Sequence, residues 1–320
     1  MQAIGIDLGT TSICGVVLDT ATGEVLRVLN KNSDAFLPAA HDYEKIQDAE
    51  TIINIAFEIL HALLTEETSV IGVTGQMHGI VYVNTAGKAV SPLYTWQDGR
   101  GNLPYRGGKT YAGHLGSYTG YGNVTDFYNR ENGLRPAEAV SYCTIQDYFV
   151  MRLCQKNEPL VHTSNAASFG NFDPESKCFS YDCPVAVADG YVLAGTYNEI
   201  PVSVAIGDNQ AGVLATAKKE DVLINVGTGS QISVIGDRIV QAKNVETRPF
   251  FEGQYLLVGA ALCGGRAYAL LKEFYRQVFA YRTSLTDDEL YDIMGQMVQK
   301  AKNAWTVDTR FAGTRAEENI

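Results

Sequence analysis

The stretch Ile4-Gly5-Ile6-Asp7-Leu8-Gly9-Thr10-Thr11-Ser12 decides the fold class. An Ile-rich apolar run covers residues 2–8, a Gly-Thr-Thr-Ser turn follows at 9–12, and Ile13 to Leu18 is apolar again. Thr22-Gly23 makes a second turn, and Glu24 to Leu29 alternates. These features predict three strands joined by tight turns. The period then changes. Ile52, Ile55, Ala56, Ile59, Leu60 and Leu63 recur every three or four residues, which predicts an amphipathic helix over 48–65. Ser69 to Thr74 reads as strand again, closed by Gly75. Strands and helices mixed in this order specify an α/β architecture built on a core sheet.

Further along, residues 137–153 read as a helix with Ala139, Tyr142, Cys143, Ile145, Phe149 and Leu153 on its inner face. A strand is expected over Val202 to Ile206, and Gly207-Asp208-Asn209 leads from it into a helix ending near Ala217. Strands at 222–226, 231–235 and 255–260 follow, with helices over 265–280 and 286–303. One echo links the two ends. Residues 224–231 read INVGTGSQ, which repeats the order of 4–12: apolar strand, Gly-Thr turn, hydroxyl residue, apolar strand. Two related domains, each offering a hairpin phosphate loop to a shared cleft, are the expected organisation.

A chain of 320 residues accommodates two domains of ordinary size or one large one. With 46% apolar and 19% charged residues it can form cores. The 25 Lys+Arg against 36 Asp+Glu leave a formal charge of −11, so no nucleic acid or anionic membrane partner is expected. Backbone N–H groups can still bind phosphate locally whatever the net charge. No apolar run reaches the ~18 residues of a membrane span. The first residues lack the basic start and apolar core of a signal peptide. Six scattered Cys, with no CxxC pair, read as free thiols of a cytoplasmic protein.

Four clusters carry candidate chemistry. In the first, Gly9 lets the backbone approach an anion, and the hydroxyls and N–H groups of Thr10, Thr11 and Ser12 can donate to phosphate oxygens. Asp7 beside them could hold a hydrated Mg²⁺. A tight hairpin using Gly and Thr for turn geometry alone explains the same residues, but pairing with Gly227-Thr228-Gly229-Ser230 favours phosphate. No Walker GxxxxGK[ST] loop is present. In the second, Gln76, Met77 and His78 follow an apolar strand directly, where ligands collect in open α/β sheets. Gln76 and His78 are candidate polyol contacts, or a turn whose His bonds to backbone. In the third, Trp96 offers a flat apolar face and Asp98 two acceptor oxygens for a vicinal diol, unless Arg100 simply pairs with Asp98. In the fourth, Asp208 stands between Gly207 and Asn209 at a strand end, as a helix N-cap, a general base, or both. Gly99 to Asn123 adds eight Gly interleaved with Tyr105, Tyr111, Tyr118 and Tyr121, either a surface loop or a mobile aromatic wall over a polar ligand.

Taken together, IGIDLGTTS (4–12), TGQMHG (74–79), TWQDGR (95–100), HTSNAASFGNFD (162–173), GDNQAG (207–212), INVGTGSQIS (224–233) and CGGRAYALL (263–271) resemble the FGGY carbohydrate kinases of the actin-like ATPase superfamily, in family order. The details look most like the sedoheptulokinase-like branch, with the xylulokinase-like branch as neighbour. The resemblance implies two actin-like (ribonuclease H-like) domains flanking a cleft, expected over residues 1–204 and 205–320, the second incomplete beside the family's usual length. It implies ATP-dependent phosphorylation of a terminal ketose hydroxyl, with Mg²⁺, and small-molecule sugar and ATP as the partners. Asp208 matches the catalytic base and Asp7 the metal-associated aspartate. Gln76, Met77, His78, Trp96, Asp98 and Asn209 match sugar-side positions. Gly9, Thr10, Thr11 and Ser12 match the first phosphate loop, Gly227 and Thr228 the second, and Gly264 and Gly265 flank the nucleotide. A short second domain would expose apolar surface and favour association, with a homodimer as the candidate form, or leave a catalytically impaired sugar-binding relative as the alternative.

Overall fold

The computed structural model describes residues 1–227, 230–242, 244–261 and 264–302. The chain divides into two compact units, Met1–Ala215 with Arg248–Gln254, and Thr216–Thr247 with Tyr255–Ile320. The first unit extends past the expected boundary at residue 204, and Asp208 falls within it.

In the first unit, β1 (Gln2–Leu8), β2 (Ser12–Asp19) and β3 (Val25–Asn32) form the expected antiparallel meander. Helix α1 (Ala49–Leu63) opens on Asp48, whose side chain accepts from the Glu50 N–H. Of its periodic residues, Ile52, Ala56, Ile59, Leu60 and Leu63 are fully buried in the core with Ile4, Ile6 and Leu8 of β1, and Ile55 is partly buried against it. The next strand, β4 (Thr68–Gly75), pairs parallel to β1. Crossing back through a helix is what permits that parallel pairing. The strands β5 (Leu193–Tyr197), β6 (Ile200–Ser203) and β7 (Ile206–Gly207) complete the sheet, with β6 and β7 both parallel to β4.

Two expectations change here. The helix expected over 137–153 begins only at Ile145 and forms α2 (Ile145–Leu153). Residues Ser141–Cys143 are a strand paired with Val81–Val83. Thr144 sets the boundary, because its hydroxyl accepts from the Asp147 N–H while the Asp147 carboxylate caps Thr144 in return. The strand expected over 202–206 is split into β6 and β7 around Val204 and Ala205. The six-residue helix α3 (Thr163–Ser168) precedes that segment in the chain, and α4 (Asp208–Thr216) follows it.

In the second unit, β8 (Val222–Val226), β9 (Ser230–Gly236) and β10 (Tyr255–Ala261) pair antiparallel in succession. Two helices follow, α5 (Gly265–Phe279) and α6 (Asp287–Lys300). The edge strand β8 leaves Val222, Ile224 and Val226 more than half exposed. Among the described residues no helix is long and apolar enough to cross a membrane.

Candidate active site

Three strand ends create the site. Leu8 of β1 lies opposite Gly75 of β4, and Gly75 lies opposite Gly207 of β7. All three strands run parallel, so three motifs leave the same edge of the sheet side by side. They are Gly9-Thr10 after β1, Gln76-Met77-His78 after β4, and Asp208-Asn209 after β7. At the usual strand spacing the outer two are about 10 Å apart. One row earlier Asp7 is paired with Thr74, and Thr74 with Ile206, so Asp7 and Asp208 come off the same edge. The Thr74 hydroxyl fastens β7 by donating to the Ile206 carbonyl at 2.9 Å.

Asp208 is exposed and opens α4, where its Oδ1 accepts from the Asn209 N–H at 2.7 Å. The backbone before it is held firmly. The Gly207 N–H donates to Ser164 Oγ at 3.0 Å, and the Ala205 carbonyl accepts from Asn165 Nδ2 at 3.2 Å. A Cβ at Gly207 would sit 2.6 Å from Met77 Sδ and 2.9 Å from Gln210 Oε1, so both side chains would have to move aside for it. Asn209 is fixed through Oδ1, which accepts from Arg248 Nη1 at 3.1 Å. Asp7 is solvent-accessible, yet crowding by surrounding protein raises its carboxyl above the usual value, as expected of an acid in a recess.

The residues expected on a polyol side split into two groups. His78 is buried and takes a left-handed backbone angle of 74°. Its N–H donates to Ser168 Oγ at 3.1 Å, its Nδ1 lies 3.0 Å from the Ser168 carbonyl, and its ring stacks on Tyr121 at 4.3 Å. Tyr118 meets Tyr121 edge-on and is partly exposed. Trp96 is 41% exposed and its Nε1 donates to Thr10 Oγ1 at 2.9 Å. Gly120 supports it: with φ of 79°, any side chain there would collide with the Trp96 carbonyl. Tyr105 and Tyr111 instead join Phe127 in a separate cluster.

Asp98 departs from the expected diol acceptor. It is fully buried, and Arg100 grips it with Nε at 2.6 Å and Nη2 at 3.1 Å. The backbone N–H groups of Lys45 and Arg100 take its remaining acceptor positions. A carboxylate filled in this way shapes the Trp96 loop and presents nothing to a diol. Gln76 is also engaged inside the chain, accepting from Thr10 Oγ1 at 3.1 Å and donating to Gln47 Oε1 at 3.0 Å.

In the second unit, the Gly265 N–H donates to the Gly227 carbonyl at 2.7 Å, so Gly227, just past β8, and the start of α5 adjoin. Thr228 lies outside the described residues. Among the described residues no cluster of three or more His, Cys, Asp or Glu can hold a metal. A magnesium ion carried largely by water and phosphate needs only one or two carboxylates, and Asp7 fits that requirement.

Gln47, Ser164, Asn165, Ser168 and Arg248 are the site residues to which sequence reasoning assigned no part. Ser164, Asn165 and Ser168 lie inside the quoted run at 162–173, and their Ser/Asn content on one helical turn was the available signal. Gln47 and Arg248 gave none.

A mixed α/β sheet that opens on an antiparallel three-strand meander and continues with parallel strands matches the actin-like ATPase fold. The xyloylose kinase from Brucella ovis superposes with a TM-score of 0.80 at 18% identity, over 100% of this chain and 70% of that one. The ligand-bound xylulose kinase from Lactobacillus acidophilus gives 0.74 at 17% identity, over 92% of this chain and 66% of that one. Residues 2–104 match the N-terminal domain of the FGGY family of carbohydrate kinases. Mus musculus sedoheptulokinase is 32% identical over 323 residues, covering 83% of this chain and 67% of that protein. The chain belongs to the FGGY family of carbohydrate kinases, and it spans about two-thirds of the length of these relatives.

Proposed function

We propose that this protein transfers a phosphoryl group from ATP to a terminal hydroxyl of a ketose of the sedoheptulose or xylulose type. One observation carries this reading: the parallel register Leu8–Gly75–Gly207 sets a phosphate-type hairpin, a polyol-type motif and an exposed carboxylate on one sheet edge. The similarity to sedoheptulokinase supports the ketose class.

In this reading the ketose lies against the Trp96 ring, with Met77, His78 and Asn209 around it. Its terminal hydroxyl donates to Asp208, which takes up the proton as the oxygen bonds to the γ-phosphorus of ATP and the bond from that phosphorus to the β–γ bridging oxygen breaks, releasing ADP. Asp208 suits the task because its carboxylate is accessible while Ser164, Asn165 and Thr74 immobilise the backbone before it. The N–H groups of Gly9 to Ser12 hold phosphate oxygens. Gly227, Thr228, Gly264 and Gly265 are the further nucleotide residues of this reading. Asp7 would hold Mg²⁺, which when bound neutralises phosphate charge. Asp98 and Gln76 act as braces for these groups. Five free thiols among the described residues suit a reducing cytoplasm. The exposed edge strand β8 suits a homodimer.

The test is an ATP-consumption screen over a panel of ketoses with Mg²⁺, followed by phosphorus NMR of the product. A ketose-dependent rise in ADP with a sugar phosphate is expected. Nucleotide turnover indifferent to every ketose would overturn the assignment.

A further inference from the structure

The candidate sugar wall and the first phosphate hairpin share one closed hydrogen-bond ring. Thr10 Oγ1 donates to Gln76 Oε1 at 3.1 Å, Gln76 Nε2 donates to Gln47 Oε1 at 3.0 Å, and Gln47 Nε2 returns to the Thr10 carbonyl at 2.7 Å. Trp96 enters this ring through its Nε1–H on Thr10 Oγ1 at 2.9 Å. The hydroxyl proton of Thr10 is spent on Gln76, so Thr10 meets phosphate only through its backbone. Ser33 secures the far side of the hairpin, with Oγ on the Thr10 carbonyl at 3.3 Å and N–H on the Thr11 carbonyl at 2.9 Å.

Gln47 closes the ring and is itself fully buried, whereas Trp96 is open to solvent. Its backbone pairs with Leu93, on the two-residue strand Leu93–Tyr94 that leads into Thr95 and Trp96. Gln47 therefore touches the phosphate hairpin with its side chain and the Trp96 segment with its backbone. A buried amide that satisfies two others fixes both amide orientations, because turning either leaves a buried polar atom unpaired.

We propose that Gln47 is a positioning residue that couples the polyol pocket to the first phosphate hairpin. A sugar seated against Trp96 restrains the indole. The indole restrains the Thr10 side chain, and through Gln76 and Gln47 the ring restrains the Thr10 carbonyl and the N–H groups that follow it. Occupancy of the sugar side then raises nucleotide affinity, and linkage requires the reciprocal effect. This inference rests on the kinase reading above.

The experiment uses the full chain with Trp305→Phe, so that emission reports Trp96. Binding of Mg-ADP is titrated calorimetrically with and without saturating sedoheptulose, in the parent and in Gln47→Leu and Gln47→Glu. In the parent, sedoheptulose tightens Mg-ADP by about fivefold or more. In both variants each ligand still binds, the ratio falls to within about twofold, and the Trp96 emission of the free protein shifts. Glu keeps the acceptor for Gln76 but not the donor for Thr10, so it fails with Leu if the ring is what matters. A packing role would move only thermal stability. If Leu abolishes the cooperative melt, Gln47→Met, of similar length, replaces it. A parent-like ratio in the variants, or unchanged emission, overturns the inference. A parent that phosphorylates ketose yet shows no coupling overturns it alone, whereas a parent that binds neither ligand overturns the kinase reading with it.

Discussion

Trp96 and Asp98 are two residues apart, yet one faces solvent and the other is sealed behind Arg100. Their substitutions should separate accordingly. Trp96→Ala removes an aromatic face from the proposed ketose pocket, and the ketose KM should rise about tenfold or more with the melting temperature nearly unchanged. Steady-state kinetics over a ketose titration checks this, and an unchanged KM would move the polyol pocket elsewhere. Asp98→Ala strands the buried Arg100 guanidinium, which also holds Asn129 at 2.6 Å. Removing one partner of such a pair costs about 3–5 kcal/mol, so the expected result is a much lower unfolding midpoint in urea. A midpoint unchanged from the parent would show that the pair is dispensable. The sequence offered both diol binding and ion pairing for Asp98, and only packing decides between them. Glycine was more legible. Gly120 lies in the Gly- and Tyr-rich stretch, and its positive φ beneath the Trp96 carbonyl accounts for its presence.

Among the elements, α2 shows most clearly where local pattern runs out. Ala139, Tyr142 and Cys143 carry helical spacing, but Ser141–Cys143 is a three-residue strand buried on both faces, so no alternation marks it. The meander, α1 and β8 to β10 were legible because each is long enough, or has a tight enough turn, to display its period. The split between β6 and β7 was not, because Asn165 from α3 captures the Ala205 carbonyl across the fold. The start of α2 also carries a pH signature. Burial pushes the Asp147 carboxyl up to about 7, against the hydrogen bonds from Thr144 and Asn165 that favour its charged form. The folded chain therefore holds this proton more tightly than the unfolded chain between the usual carboxylate value of 3.8 and about 7. The contribution of Asp147 to stability falls as pH rises through that window and levels off above it. Thermal melts across the window should show a steeper decline for the parent than for Asp147→Asn. Equal slopes would remove Asp147 from the titration.

At the scale of the whole molecule, the motif residues were legible because each occupies the first positions after a strand, and parallel pairing then aligns those positions. The residues that hold them were not. Gln47, Ser164, Asn165, Ser168 and Arg248 come from distant parts of the chain and acquire their roles only through tertiary contacts. The second unit exposes Val222, Ile224 and Val226 on an edge strand. Sedimentation velocity should show a dimer that Ile224→Lys converts to monomer. A parent that sediments as a monomer at all concentrations would remove that surface as an interface. The assignment of the base is tested most directly by comparing the parent with Asp208→Asn, measuring ketose affinity by calorimetry and turnover by ADP release. Turnover should vanish in the variant while ketose affinity stays within about tenfold, because a proton acceptor acts mainly in the transition state. Parent-like turnover by Asp208→Asn would contradict the mechanism outright.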